Sequence, residues 1–596
     1  MRRLIYIFII GLLLCSYTWA DGSRYASNSL LSEGKWVKIR VDKTGIYKLS
    51  YADLKNMGFS DPSKVSVHGY GGWPLDEDFS KEYIDDVPST PVWRGSDYLL
   101  FYGKGSVKWE YDSSSQTFVH TNNPYSLYGY YFVTDATPTN DMTSVAQASG
   151  ASTRITTYDD YLLHEQELVS VNQSGREFFG EDFSGARPRT ISTFSSIPGI
   201  TGADGKVTMR FISRINSGSG TASLSINDSE LLDITIPSIQ TVSSNVRSYT
   251  KAIPGTTTAL WKGSKSEKNN VVVSYSSSGH TNVRLDYIRM QFVRTLRPYG
   301  ACTFFRSLTS VGNASRFVIS EANSNTLVFD VTDALNVKRV EADLNGSELS
   351  FTIPAGRLRE FVLVQTNQTF PSPEVVGEVA SSNLHGLEQR DMIIISAPSL
   401  VQQAERLAVA HREKDGLTVE VVTPEAIYNE FSSGTPDATA YRRLMKMFYD
   451  RSSSLGNPPK YLLLFGDGIY DNRGISGEVQ GVSWSNMLLT FQSQESLNVY
   501  SYATDDYFAF LEDNSGSNFS RDKMCLGVGR FPIRTVTEAT QMVDKTISYM
   551  ENKDSGSWKN NVTFVADDGN NEDSFTTNHM KQADQLAEAI EEMQPG

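Results

Sequence analysis

At Arg390 the rhythm of the sequence changes, and that change limits the fold more than any single motif. Ahead of it, segments such as Lys35-Trp36-Val37-Lys38-Ile39-Arg40-Val41, Gly45-Ile46-Tyr47-Lys48-Leu49 and Tyr98-Leu99-Leu100-Phe101-Tyr102 alternate apolar and polar residues and are rich in aromatic and β-branched types. Successive side chains of a strand point to opposite faces, so this pattern predicts half-buried strands. Behind it, Met392-Ile393-Ile394-Ile395 is continuously apolar, as a strand covered on both faces requires. Strand and helix patterns then alternate: a helix over 399–414, a strand over 418–422, a helix over 438–449, strands over 461–465 and 524–528, a helix over 536–552, a strand over 562–566 and a helix over 574–593. That order predicts a mainly parallel sheet with covering helices. Such sheets hold ligands beyond the carboxyl ends of their strands.

The chain therefore reads as multidomain. A β-rich domain is expected over 21–145, with a short helix from Tyr51 to Met57 opened by Ser50 and ended by Gly58. A β-sandwich-like domain follows over 146–300, with strands at 207–212, 222–226, 271–275 and 283–288 between Ser-, Gly- and Asn-rich turns. Residues 301–389 read as a β-rich connecting region and 390–596 as the α/β domain. The last predicted helix should feed another strand, yet Pro595-Gly596 comes next, so the α/β domain is expected to be incomplete at its C-terminal end. The many Tyr, Trp and Phe residues of the strands are read as core and cross-strand pairs rather than a carbohydrate platform.

Residues 1–20 have the form of a secretory signal peptide: Arg2 and Arg3, an apolar run from Leu4 to Leu14, and Thr18-Trp19-Ala20 as a small-residue cleavage site. A lipoprotein signal would end at Cys15, but Leu14 stands where it needs a small residue. Export is the expectation. The formal net charge is −15, which excludes nucleic acid as an expected partner, since that affinity comes from Lys and Arg on phosphates. Outside the leader only Cys302 and Cys525 remain. Two thiols make no disulfide framework, and sequence leaves open whether they pair.

Three acidic groups sit where the sheet should open. Asp467 and Asp471 follow the strand ending at Phe465, in Gly466-Asp467-Gly468-Ile469-Tyr470-Asp471. This is not a phosphate loop, because GxxxxGK[ST] is absent. Turn formation or helix capping is the plain reading of both carboxylates. Thr504-Asp505-Asp506-Tyr507 precedes Gly529-Arg530-Phe531-Pro532. A guanidinium at the end of a buried strand needs a carboxylate, and Asp505, Asp506 and Asp467 are the candidates for a structural ion pair. Asp567-Asp568-Gly569-Asn570-Asn571-Glu572-Asp573 follows the predicted strand 562–566. Asp567, Asp568 and Asp573 offer oxygen ligands to a structural calcium without EF-hand spacing, or form a solvated loop whose Asp573 or Ser574 caps the next helix.

The segments Tyr461-Leu462-Leu463-Leu464-Phe465-Gly466-Asp467-Gly468-Ile469-Tyr470-Asp471, Asp505-Asp506-Tyr507 and Gly527-Val528-Gly529-Arg530-Phe531-Pro532, with Glu538-Ala539 and Lys545 to Tyr549, resemble the gingipain-type cysteine peptidases. Gly34 to Ile39, Lys43 to Leu49 and Asp97 to Gly103 resemble the sortase branch of that group. The resemblance covers 34–134 and 390–592 and implies a caspase-like α/β fold with a Cys/His dyad and no required cofactor. It also implies removal of C-terminal targeting domains from exported proteins in type IX secretion, transfer of the new ends to anionic lipopolysaccharide, an outer-membrane protein partner, and a place at the cell surface, peripherally attached to the outer membrane. The dyad itself is not matched: no His-Gly step followed by a strand-end Cys occurs, so both residues are expected beyond Gly596. Cys525 is expected to be a buried, inert thiol within its strand, and His411 and His579 lie on predicted helices. In this family the loop after 562–566 gives the substrate pocket an acidic residue, which makes Asp573 a substrate-pocket candidate beside Asp467 and Asp471.

Two rival readings differ in class. One is a non-catalytic exported scaffold or docking protein of the same secretion machinery. The other is a metal-dependent hydrolase using Asp467, Asp505 and Asp567.

Overall fold

The computed structural model describes residues 24–81, 83–185, 187–239, 250–263, 265–277, 279–477, 486–516, 518–552, 556–566 and 576–593. The leader and the acidic loop 567–573 thus lie outside the described residues. The chain divides into two compact units, Met1–Ala539 and Thr540–Gly596. No described helix is long and apolar enough to cross a membrane.

The first unit begins with a two-sheet domain. Strands 374–378, 36–41, 129–134, 66–68 and 89–90 form one sheet, and 45–50, 98–103 and 92–94 the other. The inward residues Ile39, Val41, Leu49, Val67, Leu99, Phe101 and Val133 are all buried between them. The short helix spans Tyr51–Asn56 and is closed by a capping box, Ser50 bonding the Asp53 amide and Asp53 the Ser50 amide. Residues 301–389 divide in two. Glu374–Glu378 pairs with Trp36–Val41 and so belongs to this domain. Strands between 302 and 365 instead build two sheets of their own, completed by 144–145 and 153–155 in parallel pairing. Their core is aromatic: Phe317 stacks on Phe351 at 5.2 Å, with Phe305 and Phe361 against them.

A β-sandwich is inserted into that second domain. One sheet runs 157–165, 280–295, 205–215, 253–261, the other 189–190, 271–276, 219–226, 229–237. The alternation that predicted them is visible in burial: Ala222, Leu224 and Ile226 are buried, while Ser223 and Ser225 between them are partly open.

The α/β domain opens with β1 (Met392–Ser396), α1 (Val401–Ala410), β2 (Val419–Val422), α2 (Pro424–Phe431), α3 (Ala438–Leu455), β3 (Tyr461–Phe465) and β4 (Gly527–Phe531). The four strands are parallel in the order β2-β1-β3-β4. Ile393, Ile394 and Ile395 are completely buried. Beyond Ala410 the chain makes a π-turn, His411–Asp415, closed by Gly416 at φ 67°. Helix α2 was not predicted, although Pro at its first position is a start signal.

Two strand expectations need correction. The strand expected at 524–528 runs instead from Gly527 to Phe531, because its ladder with β3 sets Arg530 opposite Leu464 and Phe531 opposite Phe465. Cys525 is therefore outside the strand and half-buried, and Met524 is 46% exposed. Residues 562–566 make no strand: Val565 is 92% exposed, and the segment joins no ladder among the described residues. An apolar run becomes a strand only when neighbours complete its backbone hydrogen bonds. The second unit otherwise contains most of the helix Val536–Met550, a 3-10 turn Ser557–Asn560 and the helix Thr576–Met593.

The N-terminal and α/β domains interlock. In the loop joining α2 to α3, Ser433 Oγ accepts from the Tyr70 amide at 2.9 Å, and Asp437 accepts from the Leu75 amide at 3.1 Å. Thr435 Oγ1 donates to the Gly71 carbonyl at 3.0 Å. Gly69 has φ 116°, and a Cβ there would lie 2.3 Å from Ser433 Oγ, so only glycine fits. Helix α3 is buried although polar: Arg442 donates to the carbonyls of Phe510, Glu77 and Ser515, and its guanidinium lies over the Phe79 ring at 4.0 Å.

Candidate functional site at the carboxyl edge of the parallel sheet

From β1 the chain passes to β2 on one side, then returns to β3 on the other. The two connections diverge there, which makes the carboxyl ends of β1 and β3 the sheet's switch point. A cleft of about 400 Å³ opens beside it, walled by Pro398 after β1, Pro424 after β2, Ile469 after β3 and Leu488. Tyr128 and Tyr130 of the N-terminal domain close its outer side.

The loop after β3 is held by its own carboxylates. Asp467 accepts from the Gly468 amide at 2.8 Å and takes Arg534 as its ion-pair partner. Its backbone is clamped as well, the amide donating to Ile533 and the carbonyl accepting from Leu488. Gly468 is fixed by space: a Cβ would fall 2.4 Å from Thr490 Cγ2 and 3.2 Å from Arg530 Nη1. Asp471 is 1% exposed and accepts from the amides of Ile475 and Ser476 at 3.2 and 2.8 Å. It shapes a turn and has no face for a substrate.

At the end of β4, Arg530 binds Asp505 through two bonds of 2.8 Å and donates to the carbonyls of Gly466 and Leu489. Asp506 instead opens a short 3-10 turn and is exposed. Bidentate geometry is the strong form of such a pair, and here it ties the loops after β3 and before β4 to one strand end. The structure thus brings Asp467, Asp505 and Arg530 to one edge, adds Arg534, and leaves Asp471 and Asp506 out. Arg534 was missed by sequence reasoning; its signal was a second Arg just past the strand.

The thiols are not placed for nucleophilic work. Both are free. Burial pushes the Cys302 thiol up to about 12, where no thiolate forms at neutral pH. Cys525 Sγ lies 3.8 Å from the Lys523 carbonyl, and no Cys–His hydrogen bond occurs among the described residues. His411 Nδ1 sits 2.6 Å from Asp415. Of the residues named for a metal hydrolase, Asp467 and Asp505 are paired with Arg534 and Arg530, and Asp567 lies outside the described residues.

Residues 385–596 match the family model of Peptidase family C25. Among solved structures, the chain is 38% identical to dimeric latent PorU from Porphyromonas gingivalis, with a TM-score of 0.82 over 90% of this chain. It covers 51% of that PorU chain, about half its length. Two carbohydrate-binding modules align over a quarter of the chain or less: the CBM6 of LamC from Zobellia galactanivorans, 15% identical over 22% of this chain and 98% of that module, and the CBM35 of Abf62 from Cellvibrio japonicus, 17% identical over 23% and 97%. Both have a TM-score of 0.12 and carry no argument. No curated protein matches the chain. A β-rich N-terminal region similar to that of PorU thus precedes residues 385–596, which match peptidase family C25.

Proposed function

We propose that this chain serves a cell-surface cysteine endopeptidase and transpeptidase, a sortase of type IX secretion that removes C-terminal targeting domains from exported proteins and joins the new ends to anionic lipopolysaccharide. The observation that supports it is the 38% identity with PorU, which extends through the β domains as well as the peptidase domain. In this reading residues 1–20 direct export, an outer-membrane protein holds the enzyme at the surface, and the dyad comes from residues beyond Gly596. Its Cys attacks the scissile carbonyl, its His moves the protons, and the thioester passes to water or to an amine. The acidic loop with Asp573, and a structural calcium at Asp567, Asp568 and Asp573, belong to the same proposal.

The test is labelling of the full gene product with a peptidyl affinity reagent for cysteine peptidases, followed by peptide mapping. Label on a Cys after residue 596, with loss of cleavage when it becomes Ala, is the expected result. Loss of cleavage on Cys525→Ala would sink the assignment of the dyad. A product that takes no label and cleaves nothing would instead be the non-catalytic docking protein.

A further inference from the structure

The five-stranded sheet of the N-terminal domain has the strand Glu374–Glu378 at one edge. Among the described residues this strand pairs with Trp36–Val41 alone. Its register sets Val375 opposite Ile39 and Glu378 opposite Val37, with Val376 as the extra residue of a bulge. Residues directly opposite share a face of the sheet. Val37 and Ile39 belong to the core between the two sheets, so Val375 points inward as well. It is nevertheless 48% exposed, and Val376 beside it 49%.

The interior is open on this side. The facing sheet ends at its own edge strand, 45–50, and a groove of about 450 Å³ is lined by Val37, Leu49, Met57 and Val375. Val37 and Leu49 are buried at its base. The charged residues of the lining are Asp53 and Glu378, with neither Lys nor Arg among them. Lys35, outside the lining, reaches Glu378 at 3.6 Å.

Two features thus run side by side. An edge strand offers peptide groups that another extended backbone completes. The groove opens on the face toward which alternate side chains of such a backbone point. A second copy of this chain suits the edge poorly. Antiparallel self-pairing centred on Val376 sets Glu374 against Glu378, and like charges directly opposite repel.

We propose that this edge receives an extended segment of a partner polypeptide by strand addition, a segment in which aliphatic residues alternate with Lys or Arg along one face. Its backbone continues the sheet beyond Glu374–Glu378. An aliphatic side chain enters the groove over Val37 and Leu49, and a cation meets Asp53 and Glu378. The proposal does not depend on the peptidase reading, and its readout is binding.

Fluorescence anisotropy and amide hydrogen exchange of the whole chain test it, with fluorescein-labelled Thr-Val-Thr-Lys-Thr-Val-Thr-Lys-Thr as the probe. When extended, this peptide carries its Val and Lys on one face. Saturable binding with slowed exchange at 374–378 is expected. The counterpart with Glu for each Lys should bind at least about tenfold more weakly. The counterpart with Pro for each Thr cannot complete a ladder and should leave exchange at 374–378 unchanged. Val375→Lys places a cation in the groove and should weaken the probe at least about tenfold, with the melting temperature kept because the site is half open. Glu378→Gln should weaken it about threefold, the size of an exposed ion pair. If the probe fails to saturate, leaves exchange at 374–378 unchanged, or protects no better than the Pro counterpart, the proposal is overturned. Exchange at 374–378 that slows with protein concentration in the absence of probe overturns it as well, by giving the edge to a second copy.

Discussion

Arg530 and His385 each sit among carboxylates that lie far away in sequence, and each fixes a junction. Replacing Arg530 by Met leaves Asp505, whose side chain is 23% exposed, without its counter-charge, and should cost about 3 kcal/mol in chemical denaturation. Asp506→Asn, on the exposed neighbour, should stay within about 0.5 kcal/mol of the parent. The sequence could say that Arg530 needed a carboxylate, since its charge ends an apolar run. It could not say which, because Asp505 and Asp506 are adjacent and only the turn that follows decides which one faces β4. His385 was not legible at all. It lies in the link ahead of β1, completely buried, with Nδ1 2.7 Å from Glu430, Nε2 3.0 Å from Asp85 and its ring stacked on Phe431. Burial opposes its charge, but the bonds and charges of Asp85 and Glu430 outweigh it and raise the ring to about 9. This contribution is complete below the unfolded value of about 6.5 and disappears as pH rises through about 9. Melting curves from pH 6 to 10 should show a loss in the parent between those values that His385→Gln lacks.

At the level of elements, apolar periodicity located strands well where the apolar run is continuous and poorly where glycine and arginine interrupt it. Strands β1 and β3 are central in their sheet and fell where continuous apolar runs placed them. Among the described residues strand β4 is paired with β3 alone, and its residues are Gly527, Val528, Gly529, Arg530 and Phe531, so its bounds follow from register rather than hydrophobicity. Its glycines are not equivalent to the one in the β3 loop. A Cβ on Gly529 meets nothing within 4 Å, whereas one on Gly468 collides with Thr490. Gly468→Ala should therefore cost about 1–3 kcal/mol by overpacking. Gly529→Ala should be neutral or stabilising by about 0.5 kcal/mol. Thermal unfolding of the two variants side by side checks both. Helix α3 was visible as a helix but its burial was not, because Arg442, Arg443, Lys446 and Asp450 carry charges that are met in part by residues distant in sequence.

For the molecule as a whole, the peptidase domain does not stand alone. Glu430, Asp437, Arg442 and Lys446 find partners in residues ahead of 390 or in the loop around 510. Residues 385–596 expressed by themselves should be insoluble or expose broad apolar surface to a hydrophobic dye, whereas a chain starting near residue 24 should not; the dye signal and sedimentation decide it. Alternation revealed the β character of the first half, but not that the sandwich is an insert, since sequence order hides which strands return to an earlier sheet. That insertion has an evolutionary corollary. The strand that leaves for the sandwich and the strand that comes back are hydrogen-bonded neighbours, with Thr157 opposite Thr295, so the two junctions lie only about 5 Å apart. A recombination event joining Ile155 to Leu296 needs no more than a tight bend to seal the gap. The roughly 140 residues between can thus be exchanged or enlarged, a span about the size of a common domain, provided that the newcomer keeps a carboxylate for the buried Arg473, which Glu167 supplies here.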